Sequence, residues 1–326
     1  MRSPRQGASG PAPLIAGLPG PATTLDGVLG ALVDVMLPVV LVAGAGALLA
    51  RFYPLDLDTI GKVALHGFFP FMAYQSVVTT QVPARTGVLL GLAYLLVTAL
   101  SAGLAWVAAR GRMRPDARGV VAAVVLGNNG NFGLPIALLA LGRDGLDQSL
   151  LIFIWSMLVI FTAGPALLGE HADLRGAART VLTLPVLWGI AAGLLMRTAG
   201  LTLPIGLTRG IDLAAQAAIP LALLALGAQL ATTARSRLSR PVVTAVLLRL
   251  IAGPLLSVGV GLALGLRGTS LAALVLAGAM PTAVNAFLLA REYGAGAQTQ
   301  ASIVAISTLG SLVTIPLTVA LLPLLP

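Results

Sequence analysis

Apolar runs of about 20 residues, the length that crosses a bilayer as a helix, alternate along this chain with short polar joints. The runs fall near 27–50, 59–81, 87–109, 117–142, 147–168, 179–198, 206–232, 241–265, 269–291 and 297–323. Between them lie joints at 51–62, 81–86, 110–118, 142–148, 169–179, 197–209, 235–240, 266–269 and 291–296. The pattern predicts an all-α polytopic membrane protein of ten transmembrane helices. Residues 1–26, rich in Pro, Gly and Ala and without a single clean apolar block, read as a flexible N-terminal tail.

The two halves resemble each other at an offset of about 150 residues. Pro70 sits 150 before Pro220, and the run Val120 to Gly127 matches Leu271 to Gly278, each leading into an interrupted segment. An odd number of spans per half forces the second half to be inverted in the membrane. The organisation predicted is a first five-helix repeat over 27–168, a short cytoplasmic loop at 169–178 and an inverted five-helix repeat over 179–326. Inverted repeats with paired interrupted helices are the sequence pointer to alternating-access carriers.

Composition agrees with lipid as the solvent: 57% of residues are hydrophobic, 10% are charged, and the mean hydropathy is +0.97. The net charge of +9 does not point to nucleic acid, because the arginines stand in separate joints rather than in a stripe interleaved with aromatics. Their distribution sets orientation instead. The odd-numbered joints hold twelve basic residues, and the even joints with the tail hold seven. Both termini are therefore expected outside the cytoplasmic membrane. With no cysteine and with His66 and His171 far apart, thiolate and histidine metal sites are not expected, nor is any cofactor.

The candidate chemistry lies in two segments. The fourth span reads Gly127-Asn128-Asn129-Gly130-Asn131-Phe132-Gly133-Leu134-Pro135. Gly costs about 1 kcal/mol and Pro about 3 relative to Ala inside a helix, so a break is expected there. Backbone freed at membrane depth persists only where it is buried in protein or lines a wet cavity. A half-helix starting near Pro135 would turn a positive end toward a carboxylate. The alternative is a kink whose asparagines only close backbone bonds. The ninth span carries the weaker break Met280-Pro281-Thr282-Ala283-Val284-Asn285, which at the repeat offset would meet the first across a pseudo-two-fold axis. The candidate substrate site is thus Asn128, Asn129, Asn131, Pro135, Pro281, Thr282 and Asn285.

These two segments, with Ala290-Arg291-Glu292-Tyr293-Gly294 and the stretch from Pro220 to Leu230, resemble the auxin efflux carrier family, bacterial branch, from about residue 28 onward. The resemblance implies a fold like that of bile acid sodium symporters, with spans 1, 2, 6 and 7 as a scaffold and the other six as a moving core in which helices 4 and 9 cross. It also implies carriage of organic anions and a homodimer through the scaffold. The short joint at 169–179 and Ala286 depart from the plant hormone carriers, so auxin is not the expected substrate.

Intramembrane charge is sparse. Asp34 lies near the outer edge of the first span. Arg249, in the eighth, either snorkels to the interface or faces the cavity as a counter-charge to an anion. Gln75 and Ser307 could border that cavity. No nucleophile with a base, carboxylate pair or metal constellation assembles within the bilayer, so an enzyme is not expected; no Gly-rich Lys-Ser/Thr nucleotide loop is present. The pattern predicts a secondary transporter of small organic anions, with an anion channel or uncoupled uniporter as the alternative. Proton, sodium and membrane-potential drive are all compatible with it.

Overall fold

The structure is a computed structural model that describes residues 24–110, 116–169, 182–232 and 236–326, with the isolated positions 176 and 179. The expected tail up to residue 23, most of the joint at 169–179 and the arginines Arg112, Arg114, Arg175 and Arg235 lie outside these residues.

The described residues are helical and hold no strand. In chain order, α1 runs through Thr24–Ala31, a wide turn Leu32–Met36 and Leu37–Phe52, and α2 through Leu57–Lys62, a wide turn Val63–Phe68 and Phe69–Thr79. Helix α3 is Ala84–Ala108, α4 is Ala117–Val125, and a wide turn Asn129–Gly133 leads into α5, Leu134–Leu168. Then come α6 (Pro185–Thr198), α7 (Ile205–Thr232) and α8 (Arg240–Ala263, with a wide turn at Leu248–Ala252). The last elements are α9 (Gly268–Ala279), α10 (Val284–Glu292) and α11 (Ala297–Leu321). Six of these stretches are long and apolar enough to cross a membrane: Asp26–Phe52, Ala84–Ala108, Asn129–Leu168, Ile205–Ala231, Arg240–Ala263 and Ala297–Leu324. The protein is a multi-pass membrane protein of all-helical class.

Each wide turn has a cause in the sequence. A proline removes one amide donor and clashes with the carbonyl four residues earlier, and a π turn makes room for that clash within a helix. Pro38, Pro70, Pro135 and Pro254 each stand two residues past the end of a wide turn, and the carbonyls four residues before them belong to Asp34, His66, Asn131 and Leu250, inside those turns. Pro165, Pro220 and Pro316 instead lie within regular helix. The paired prolines Pro70 and Pro220 therefore differ in local geometry.

Helix α5 is bent by Gly142, whose φ of 69° and ψ of −160° are open to glycine. This divides the fourth expected span from the fifth. Two short helices sit at the centre. Val120 to Val125 of α4 and Leu271 to Ala279 of α9 are buried on every side, which is how a helix apolar all round is accommodated. Around them α1 packs along α7, and α2 along α6, while α8 lies against α9 and α3.

Candidate functional site

Both predicted breaks are present, and they meet. After Val125 the chain leaves helical geometry at Leu126 (φ −87°, ψ 79°) and Asn128 (φ −81°, ψ 59°). After Ala279 it runs extended through Met280 and Ala283 before α10 begins. Gly127 and Thr282 form an antiparallel bridge, in which the Asn128 amide donates to the Pro281 carbonyl at 2.8 Å and the Ala283 amide to the Leu126 carbonyl at 2.7 Å.

The carbonyls freed at the end of α4 are accounted for one by one. Ala122 accepts from the Leu126 amide, Val125 from Gly127, Gly127 from Asn129, and Asn128 from Gly133. Ala123 accepts from Thr282 Oγ1 at 2.9 Å, and Val124 from Arg249 Nη1 at 3.0 Å. Buried backbone must find such partners, and here the break is closed by main chain, a threonine and an arginine. None of these carbonyls relies on an asparagine side chain.

The asparagines divide accordingly. Asn128, Asn131 and Asn285 line a cavity of about 660 Å³ between α2, the turn before α5, α5, α7, α10 and α11. Asn129 is buried beside it, its Nδ2 donating to the Tyr94 hydroxyl at 3.0 Å and its Oδ1 without a partner. Pro135 lies in the first turn of α5, buried and away from the cavity. Pro281 and Thr282 form the frame, with the Thr282 amide donating to Ser307 Oγ at 3.2 Å. Of the seven residues expected at the site, Asn128, Asn131 and Asn285 line the cavity, Asn129, Pro281 and Thr282 stand behind or frame it, and Pro135 lies away from it.

Arg249 neither lines the cavity nor reaches the surface. It is 6% exposed, and Gly127 separates it from the cavity: a Cβ at that glycine would come within 1.9 Å of Arg249 Nη2. Ser307 is likewise behind the wall, and Gln75 lies elsewhere. Asp34 is exposed.

The cavity wall also contains residues that sequence reasoning missed. Phe69, Phe153, Met157 and Ile160 give it apolar surface, and Gln229 and Gln298 add amides. Lys62, His66 and Arg291 supply basic groups, and the described lining holds no carboxylate. The first turn of α10 borders it as well, adding the positive end of a helix dipole. Apolar residues in so apolar a chain carry no contrast; Lys62 and Arg291 were visible as joint residues but not as neighbours.

Farther along α2, about 9 Å beyond Phe69 by helical rise, polar side chains tie several helices together. Gln75 Nε2 donates to Asp212 Oδ1 of α7 at 2.6 Å, and Arg143 Nη1 of α5 donates to Gln75 Oε1 at 3.2 Å. Ser76 donates to Asp147 Oδ1 at 2.5 Å, and Arg197 Nη1 of α6 to the Val77 carbonyl at 3.2 Å. This cluster lies toward the end of α2 opposite Lys62.

Comparison with known proteins shows what the chain is similar to. Residues 174–319 match the family described as membrane transport protein. A protein of Rhizobium meliloti (strain 1021), by name a candidate malonate transporter, is 31% identical over 201 residues, 58% of this chain and 62% of that protein. The chain thus aligns with less than two thirds of that relative's length. A protein of Methanothermobacter thermautotrophicus (strain Delta H), named as an uncharacterized transporter, is 27% identical over 272 residues, 80% of this chain and 88% of its own. Over residues 174–319, which include the second broken segment, the chain is thus similar to membrane transport proteins, and both relatives carry transporter names.

Proposed function

We propose that the protein is a secondary transporter of small organic anions, such as carboxylates, in the cytoplasmic membrane. The observation that carries this reading is the leftover amides: the break is closed without them, and Asn128, Asn131 and Asn285 stand at one cavity with basic groups and no carboxylate among its described lining residues. Amides and a helix start satisfy a carboxylate's oxygens, while Phe69, Phe153 and Met157 give room for an apolar body. The name of the Rhizobium relative makes malonate the first anion to try.

The geometry favours alternating access over a channel. Lys62 and Arg291, exposed residues of the cavity lining, belong to odd-numbered joints expected in the cytoplasm. The hydrogen-bonded cluster around Gln75 and Asp147 lies toward the other end of α2, where in this reading it shuts the outer side. In this reading the chain has ten spans in two inverted halves, 27–168 and 179–326, with both termini outside. Helices α1, α2, α6 and α7 form a scaffold that pairs two copies, and the remaining helices move as a core. Support comes from the pairing of α1 with α7 and α2 with α6, and from the antiparallel meeting of the two breaks.

Counterflow of labelled malonate, malate and aromatic monocarboxylates in proteoliposomes tests the reading. Saturable exchange of at least one anion, reduced about tenfold in Asn131→Ala and in Asn285→Ala, is expected. Exchange unchanged in both variants would overturn the site, and a non-saturating flux would favour a channel.

A further inference from the structure

Behind the cavity stands a cation that the transport reading leaves without a role. Arg249 comes from the wide turn Leu248–Ala252 of α8. Its Nε donates to the Met280 carbonyl at 2.7 Å, Nη1 to Val124 at 3.0 Å and Nη2 to Ala277 at 3.1 Å. These carbonyls belong to the C-terminal ends of α4 and α9, the two half-helices that stop where the breaks meet. Each helix C-terminus carries roughly half a negative charge, so one guanidinium balances the pair. Its planar fork matches three fixed acceptors in a way that a rotating ammonium does not.

Carbonyl ends of interrupted membrane helices are where broken-helix carriers coordinate a coupling cation. We propose that Arg249 is the resident cation of this position, so that the meeting point of α4 and α9 takes no metal ion and the protein works independently of sodium. The nearest rival position is a cavity of about 10 Å³ lined by Asn129, Gly133, Ser149, Ile152, Leu276 and Ala277, where the unpartnered Oδ1 of Asn129 offers one oxygen ligand. Ala277 belongs to its wall and also accepts from Arg249, so a metal ion there would sit against the guanidinium and be repelled at low dielectric. That space is the size of one water molecule, and water is the occupant that this charge pattern admits.

The transport arm of the test rests on the reading above; the binding arm does not. In the binding arm, purified protein is melted in detergent with sodium chloride or choline chloride at matched ionic strength. A ligand that binds only the folded state raises the melting temperature saturably. The wild type is expected to melt alike in both salts, and a saturable rise in sodium would overturn the proposal. Arg249→Ala is expected to melt about 5 °C or more below wild type and to recover part of that loss in millimolar guanidinium. A variant that melts like wild type, or that folds and ignores guanidinium, would also overturn it. If Arg249→Ala does not fold, Arg249→Lys serves: it keeps the charge without the fork and is expected to melt between the two, again alike in sodium and choline, and a saturable sodium stabilisation of it would count against the proposal.

In the transport arm, counterflow of labelled malonate is expected to be equal in sodium and choline, and a sodium requirement would sink the idea. Should the wild type move no anion in either salt, the transport reading fails while the melting results still decide the role of Arg249.

Discussion

The Asn128 amide donates to the Pro281 carbonyl at 2.8 Å, joining residues 153 positions apart in the sequence. With the reciprocal bond from Ala283 to Leu126, it locks two unwound segments into one short antiparallel pair. Neither break can shift alone, so α4, α5, α9 and α10 share one fixed point.

Thr282 tests that lock. It is fully buried, and its hydroxyl serves the Ala123 carbonyl. Thr282→Val keeps the shape and leaves the carbonyl without its donor, so a loss of about 1–3 kcal/mol is expected. Thermal melting checks it, and an unchanged melting temperature would contradict the accounting of backbone partners given above.

The cavity asparagines should behave in the opposite way. Asn131 and Asn285 are partly exposed and line the cavity. Their alanine variants are expected to melt within about 0.5 kcal/mol of wild type, as surface changes do, while counterflow falls about tenfold, the equivalent of one lost hydrogen bond to a charged ligand. Measuring both quantities on the same preparation separates a binding role from a structural one.

Gly127 is held by space rather than by chemistry. A methyl group there would collide with Arg249 Nη2, and that guanidinium is pinned by three carbonyls. Gly127→Ala is expected to cost about 1–3 kcal/mol through overpacking. The same substitution at Gly44, where nothing stands within 4 Å of the added atom, should be neutral or slightly stabilising in its helix, which makes it the control in the same melting assay.

The polar cluster around Gln75 and Asp147 predicts a gate. The chain has no cysteine, so a single Ala73→Cys, placed at a fully buried position of α2 between the cluster and the cavity, can be labelled without background. An impermeant maleimide added from outside is expected to react slowly. Adding Arg143→Ala, which removes the bond to Gln75, is expected to raise that rate about tenfold, the effect of about 1.4 kcal/mol on an opening equilibrium. Equal rates would mean that the cluster does not control outer access.

The two interruptions were legible because glycine, asparagine and proline gather there in an otherwise apolar run, and no uninterrupted helix tolerates that composition. The wide turns were not. Proline marks all four, yet Pro165, Pro220 and Pro316 sit in regular helix, so the residue alone does not say which outcome follows. Arg249 was legible as an intramembrane charge, but helical rise gives its depth and not its neighbours. Its partners are carbonyls from two other helices, and carbonyls carry no sequence signature. The cavity's apolar wall was hidden for a related reason: Phe153 and Met157 look like every other core residue until the fold brings them beside Asn131.

The wide turns at Leu32–Met36, Val63–Phe68, Asn129–Gly133 and Leu248–Ala252 also bear on how such a chain tolerates changes in length. A π turn holds more residues than the α turn it replaces, so it acts as a reservoir of slack. Removing one residue from ordinary helix rotates everything beyond it by about 100° and turns core-facing side chains to lipid. Removing one from a wide turn lets the helix tighten and keeps both flanking faces in register. These four places are where a single-residue deletion would be absorbed most easily.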